Sequence, residues 1–66
     1  MMSDYTVLQV CSNDGRRTHL QPACYGERFD SYSKARKFAA KTNFLYGVVR
    51  SDRVDEVRRR YKEQNN

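Results

Sequence analysis

The segment from Asp30 to Arg50, DSYSKARKFAAKTNFLYGVVR, constrains the fold more than any other part of the chain. Its first half has helical spacing. Tyr32, Ala35, Phe38, Ala39 and Thr42 recur at intervals that place them on one helical face. Lys34, Arg36, Lys37 and Lys41 fall mostly on the other side. Asp30 or Ser31 offers a short side-chain oxygen to the free N–H groups of the first turn. Ala35, Ala39 and Ala40 favour helix, and no Pro or Gly interrupts the run. Asn43 suits a left-handed residue at the helix end. Phe44 to Val49 is a short apolar run rich in β-formers, closed by Arg50-Ser51-Asp52. The pattern predicts a helix with Phe38 at the centre of its buried face, then a strand returning along it.

The flanking segments supply partners for this unit. Tyr5 to Cys11 reads as a strand, Asn13-Asp14-Gly15 as a tight turn, and Arg16 to Cys24 as the returning strand. Pro22 has no N–H to donate, so this second strand is an edge or stops pairing there. Two registers are open. A two-residue turn aligns Tyr5, Val7 and Cys11 with Leu20, Pro22 and Cys24, whereas one extra residue sets Leu8 and Val10 with Leu20 and Pro22. Tyr25 to Arg28 reads as a loop, with Phe29 closing the core at the helix entrance. Asp52 to Gln64 reads as a second helix with a narrow apolar stripe of Val54, Val57 and Tyr61. Glu56–Arg60, Asp55–Arg59 and Arg59–Glu63 stand at pairing distance along it. The expected fold is α+β: a three-stranded antiparallel sheet in the order β-β-α-β-α, a helix packed on one face, and a basic C-terminal helix. It forms one small domain over 1–66, with its ordered core at 4–63.

A 66-residue chain has a thin core, since folding at this size buries only roughly 60% of the extended-chain surface. A homodimer is one way to enlarge it. Thirteen Lys and Arg against eight Asp and Glu give a net charge of +5, which favours polyanionic partners or an acidic protein face. No apolar run approaches the about 20 residues that span a bilayer, and the start lacks the basic-then-apolar order of a signal peptide. A cytoplasmic protein that does not engage membranes is expected, with Cys11 and Cys24 as free thiols at opposite ends of the hairpin.

Catalysis has little to work with. His19 is the only histidine and has no placed nucleophile. Cys11, Cys24 and His19 lack the paired spacing of a zinc site. Asp55 and Glu56 are adjacent and diverge on a helix, and Gly15, Gly26 and Gly47 are too scattered for a phosphate loop. No enzyme activity, metal or cofactor is expected. Charge is the stronger lead. Arg58, Arg59 and Arg60 form one basic cluster with Arg53 and Lys62. Lys34, Lys37 and Lys41, with Arg36, form a second that has no acid among its basic residues. Arg16 and Arg17 form a third at the hairpin tip. Arginine grips phosphate through a planar fork and lysine through a mobile point charge. Tyr25, Tyr46 and Tyr61 are candidate stacking partners for bases. Against this stands the ordinary alternative of a solvated, salt-bridged helix face and packed tyrosines. The expectation is a non-enzymatic basic module that binds nucleic acid or a nucleoprotein complex, with a protein–protein inhibitor or adaptor on an acidic host surface as the alternative.

Ser31 to Ala39, SYSKARKFA, followed by Phe44 to Val49, FLYGVV, resembles the helix-then-strand part of small phage-encoded inhibitors, notably some anti-CRISPR proteins. The resemblance covers about a third of the chain, with no catalytic or metal motif. It implies a stoichiometric inhibitor of a host nucleoprotein machine, encoded by a phage or mobile element. Val54 to Gln64 departs from that pattern, which continues there with a further strand, and no binding residue carries over.

Overall fold

Tyr5–Asn13 (β1) is the central strand, because both of its edges are occupied. The computed structural model describes residues 4–13, 17–23 and 26–65, with the side chains of 13, 17 and 65 left out. Along one edge, β1 pairs antiparallel with Arg17–Pro22 (β2) and then with the two-residue strand Arg28–Phe29 (β3). Along the other edge it pairs antiparallel with Leu45–Arg50 (β4). Thr6 is opposite both Arg28 and Val49, which puts β3 and β4 on different edges. The result is an antiparallel sheet of four strands with two helices, an α+β fold. The strand beyond the expected three is β3, which forms because the chain entering the helix lies in line beyond β2.

The register is the one with an extra residue in the turn: Leu8 faces Pro22 and Val10 faces Leu20. The predicted Asp14-Gly15 turn lies outside the described residues. The Ala23 N–H donates to the Val7 carbonyl at 2.8 Å, so the backbone of Pro22, one residue earlier, is turned away from β1. The missing N–H therefore costs the ladder nothing, as expected of a proline at the end of an edge strand.

Tyr32–Ala39 (α1) is capped by Ser31, whose hydroxyl accepts from the Lys34 N–H at 3.1 Å. It is shorter than its periodicity suggests. After Ala39 the Lys41 and Thr42 N–H groups donate to the carbonyls of Phe38 and Ala39, which tightens the last turn. Ala35 and Ala39 are fully buried and bring the helix close to the sheet, against Val7 and Ala23. Phe38 is only half-buried and packs on Phe29 at a ring distance of 5.4 Å. The expected centre of the core is thus its rim, because two alanines occupy the line of closest approach. Tyr32 is 53% exposed and meets Tyr5 edge-on, and Leu45 is also exposed.

The second helix, Val54–Asn65 (α2), follows a 3-10 turn at Ser51–Arg53 and covers the opposite face. Tyr5 and Val7 point to α1, so Thr6 and Leu8 point away from it. The Thr6 and Ser51 hydroxyls are 2.7 Å apart, and the Thr18 and Tyr61 hydroxyls are 2.8 Å apart, both on the α2 side. Leu8 and Leu20 are sealed there. Both faces of this small sheet are therefore covered, and the last helix is part of the core layer. Arg58 Nε donates to the Leu20 carbonyl at 2.9 Å, capping the outer edge of β2. Among the described residues, no helix is long and apolar enough to cross a membrane.

Candidate nucleic-acid interface

The sheet separates the predicted basic clusters. Lys34, Lys37 and Lys41 lie outside α1 on one face, while Arg58, Arg59 and Arg60 lie on α2 across the sheet. They therefore lie on opposite faces of the sheet. Arg16 lies outside the described residues, as does the side chain of Arg17.

Within each cluster the side chains differ. Lys34 is reached from the cap side by Asp30, with Nζ and Oδ1 3.1 Å apart, so this lysine has an acidic neighbour after all. Both groups are exposed, and such a pair contributes little. Arg58 spends its Nε on the β2 backbone. Arg60 pairs with Glu56 at 3.2 Å, as the spacing predicted, whereas Arg59 pairs with neither Asp55 nor Glu63. Arg36, Lys37 and Lys41 are exposed and have no ion-pair partner among the described residues. They gather at the C-terminal end of α1 and the turn after it, where cations suit the helix dipole. Of the predicted lysines, Lys37 and Lys41, with Arg36 beside them, are therefore the ones that no described carboxylate neutralises.

That end of α1 runs directly into an unusual residue. Phe44 has φ 57, in the left-handed region, and is 80% exposed. Asn43 was the residue expected to turn left-handed; the turn is displaced by one. Its cause is the β1–β4 ladder, which takes the Phe44 carbonyl as acceptor for the Val10 N–H at 2.8 Å. The ladder is then interrupted between Leu8 and Gln9, where Tyr46 is the extra residue on β4. Tyr46 turns to α2 and meets Tyr61 edge-on at 5.7 Å. Tyr61 and Tyr46 are thus packed against each other, and Tyr25 lies outside the described residues.

Next to Phe44 is an open depression of about 610 Å³, lined by Gln9, Val10, Cys11, Ser12, Thr18, Asn43 and Phe44. It lies where β4 stops and β1 continues alone on that edge. Cys11 is a free thiol on its wall, and Cys24 lies outside the described residues. Among the described residues, no group of three potential ligands is placed to hold a metal.

Comparison with family models, curated proteins and solved structures finds no match to this chain. Its site is read from its own geometry.

Sequence reasoning missed Phe44, Asn43, Gln9, Ser12 and Thr18. The available signal was the run Phe44 to Val49 itself. A strand at a sheet edge seldom buries every side chain of a run such as Phe44, Leu45, Tyr46, Val48 and Val49, and the glycine after Tyr46 marks a bulge. A test of the strain is direct. An L-residue in the left-handed region costs roughly 1–2 kcal/mol, and glycine avoids the penalty. Phe44→Gly, which removes an exposed ring and no core, should raise the melting temperature by about 4 °C or more. A lower melting temperature would show that the ring packs in a way the structure does not.

Proposed function

We propose that this chain is a small non-enzymatic binding module that holds a nucleic-acid backbone at the C-terminal end of α1. The observation that carries the reading is the cluster of Arg36, Lys37 and Lys41, exposed and without an ion-pair partner among the described residues, on a chain of net charge +5. Lys34 adds partial charge at the other end of the same stripe. Arg59 is a separate cation on the far side, Arg58 is engaged by the β2 backbone, and Arg60 is paired with Glu56.

A protein partner is the second reading, favoured by a different observation. The Ser51 N–H donates to the Asp4 carbonyl at 2.8 Å, so along antiparallel β4 the backbone groups of Val48 and Arg50 face away from β1. None of the described residues pairs with that edge, which leaves a template for an added strand. A host protein captured there would act as the target of an inhibitor or adaptor, in line with the resemblance of Ser31 to Val49 to phage-encoded inhibitors.

The discriminating experiment is a mobility shift with random-sequence DNA and RNA across a salt series, run beside light scattering for self-association. Binding at about 50 mM salt that weakens steeply by about 200 mM is expected. No shift at the lower salt overturns the nucleic-acid reading. Nuclease-resistant capture of a host protein would then put the β4 edge in its place.

A further inference from the structure

We propose that Phe44 is a stacking platform for an unpaired nucleobase, so that the module selects single strands over duplex. This rests on the nucleic-acid reading above and names its substrate class. Three features of the site converge on it.

The first is presentation. Among the described residues, Phe44 is the most exposed of the large apolar side chains, and it stands on a left-handed backbone. A ring that served the fold would be drawn inward, whereas this one is held outward by a strained residue clamped through its carbonyl to Val10. Strain retained at an exposed aromatic points to use of the ring in binding.

The second is what lies beside the ring. The depression is lined by Gln9, Val10, Ser12 and Asn43, with the Gln9 amide nitrogen donating to Cys11 Sγ at 3.6 Å, which leaves its carbonyl oxygen as an acceptor. Amides both donate and accept, as base edges require. The backbone adds to this. The Val10 N–H is the last described bond from β1 to the β4 side, so the next groups on that edge, the N–H and C=O of Ser12, have no described partner. A base in a duplex has its edge already paired and its faces covered by neighbours. Only an unpaired base can lie on the ring and meet these groups.

The third is charge. Lys41 precedes Phe44 by three residues, which limits their separation to roughly 11 Å, and Lys37 stands one helical turn before it. Phosphates on either side of a stacked base fall within reach of these side chains. Stacking combined with a basic track is the general physics of single-strand binding.

The test uses the full chain with a fluorescent single strand of about 12 nucleotides, within the usual site-size range, and with its matched duplex at one salt concentration. The wild type should bind the single strand more tightly. Phe44→Ala should lose about 5- to 100-fold in single-strand affinity, with duplex affinity changed less than about twofold. Phe44→Tyr should retain most of the single-strand affinity. Phe44→Gly should lose as much as Phe44→Ala while melting no lower than wild type, which separates a loss of stacking from a loss of folding. A strand carrying 2-aminopurine should be quenched by wild type and not by Phe44→Ala. If Phe44→Ala binds both probes like wild type, or weakens both equally, the platform is overturned while phosphate binding stands. If wild type binds neither probe, the platform falls together with the reading beneath it.

Discussion

Leu8→Ala should be among the most damaging single truncations in this chain, costing about 2–5 kcal/mol. Leu8 is completely buried at the middle of the central strand, between Pro22 on one side and Gly47 on the other. Gly47 has no side chain to fill the space, and Pro22 is fixed by its ring, so the site cannot collapse around the cavity. A domain of this size has roughly 3–10 kcal/mol of total stability. Much of the population should therefore be unfolded, or the urea midpoint displaced far below wild type. Phe38→Ala should cost less, because Phe38 lies at the rim and is only partly buried. Urea melts of the two variants followed by circular dichroism decide the order. If Phe38→Ala is the worse, the core is centred under α1 as the periodicity alone suggested, and the sealed layer between β1 and α2 is wrong.

The reversal shows what the sequence can and cannot convey about this fold. The strands and helices were legible, because β-branched runs, a capping serine and helical spacing are local properties of the chain. Burial depth was not. The spacing of Tyr32, Ala35, Phe38 and Ala39 defines a face, and only the sheet beneath decides which member touches it. Here the alanines do, while Tyr32 and Phe38 spread to the sides. The hairpin register was undetermined for a similar reason: Val7 and Leu8 are both apolar, and each is buried on a different face of a sheet covered twice. Alternation fades when both faces are dry. The two-residue strand β3 is too short to leave any pattern.

The candidate site was legible in its charges and not in its shape. Lys37 stands where helical spacing placed it, and Lys41 follows in the turn after α1. Arg58 reads the same as Arg59 in sequence, yet one caps a strand edge and the other has no ion-pair partner among the described residues. That difference is set by contacts far apart in the chain. Phe44 was hidden in an apolar run that looked like core. Its exposure follows from a ladder bond to Val10 and an extra residue at Tyr46, both of them long-range facts.

Replacing Arg36, Lys37 and Lys41 together with glutamine should flatten the slope of log affinity against log salt by about 0.7–0.9 for each phosphate that is no longer neutralised. The weakening should be nearly uniform across sequences, because phosphate contacts position a strand without reading it. Glutamine is nearly as good a helix former as lysine or arginine, and these side chains are exposed and have no ion-pair partner among the described residues. Each substitution should thus stay within about 0.5 kcal/mol of wild-type stability. The internal control is Arg59→Gln, at a cation on the other side of the sheet with no ion-pair partner among the described residues, which should leave the slope unchanged. Net charge falls in both variants, so a general electrostatic effect would lower the slope in proportion to the charges removed. A surface at the end of α1 predicts instead that three charges there matter and one on α2 does not. Equal flattening per charge at the two places would mean that binding follows net charge alone. Flattening confined to Arg59→Gln would move the interface to α2.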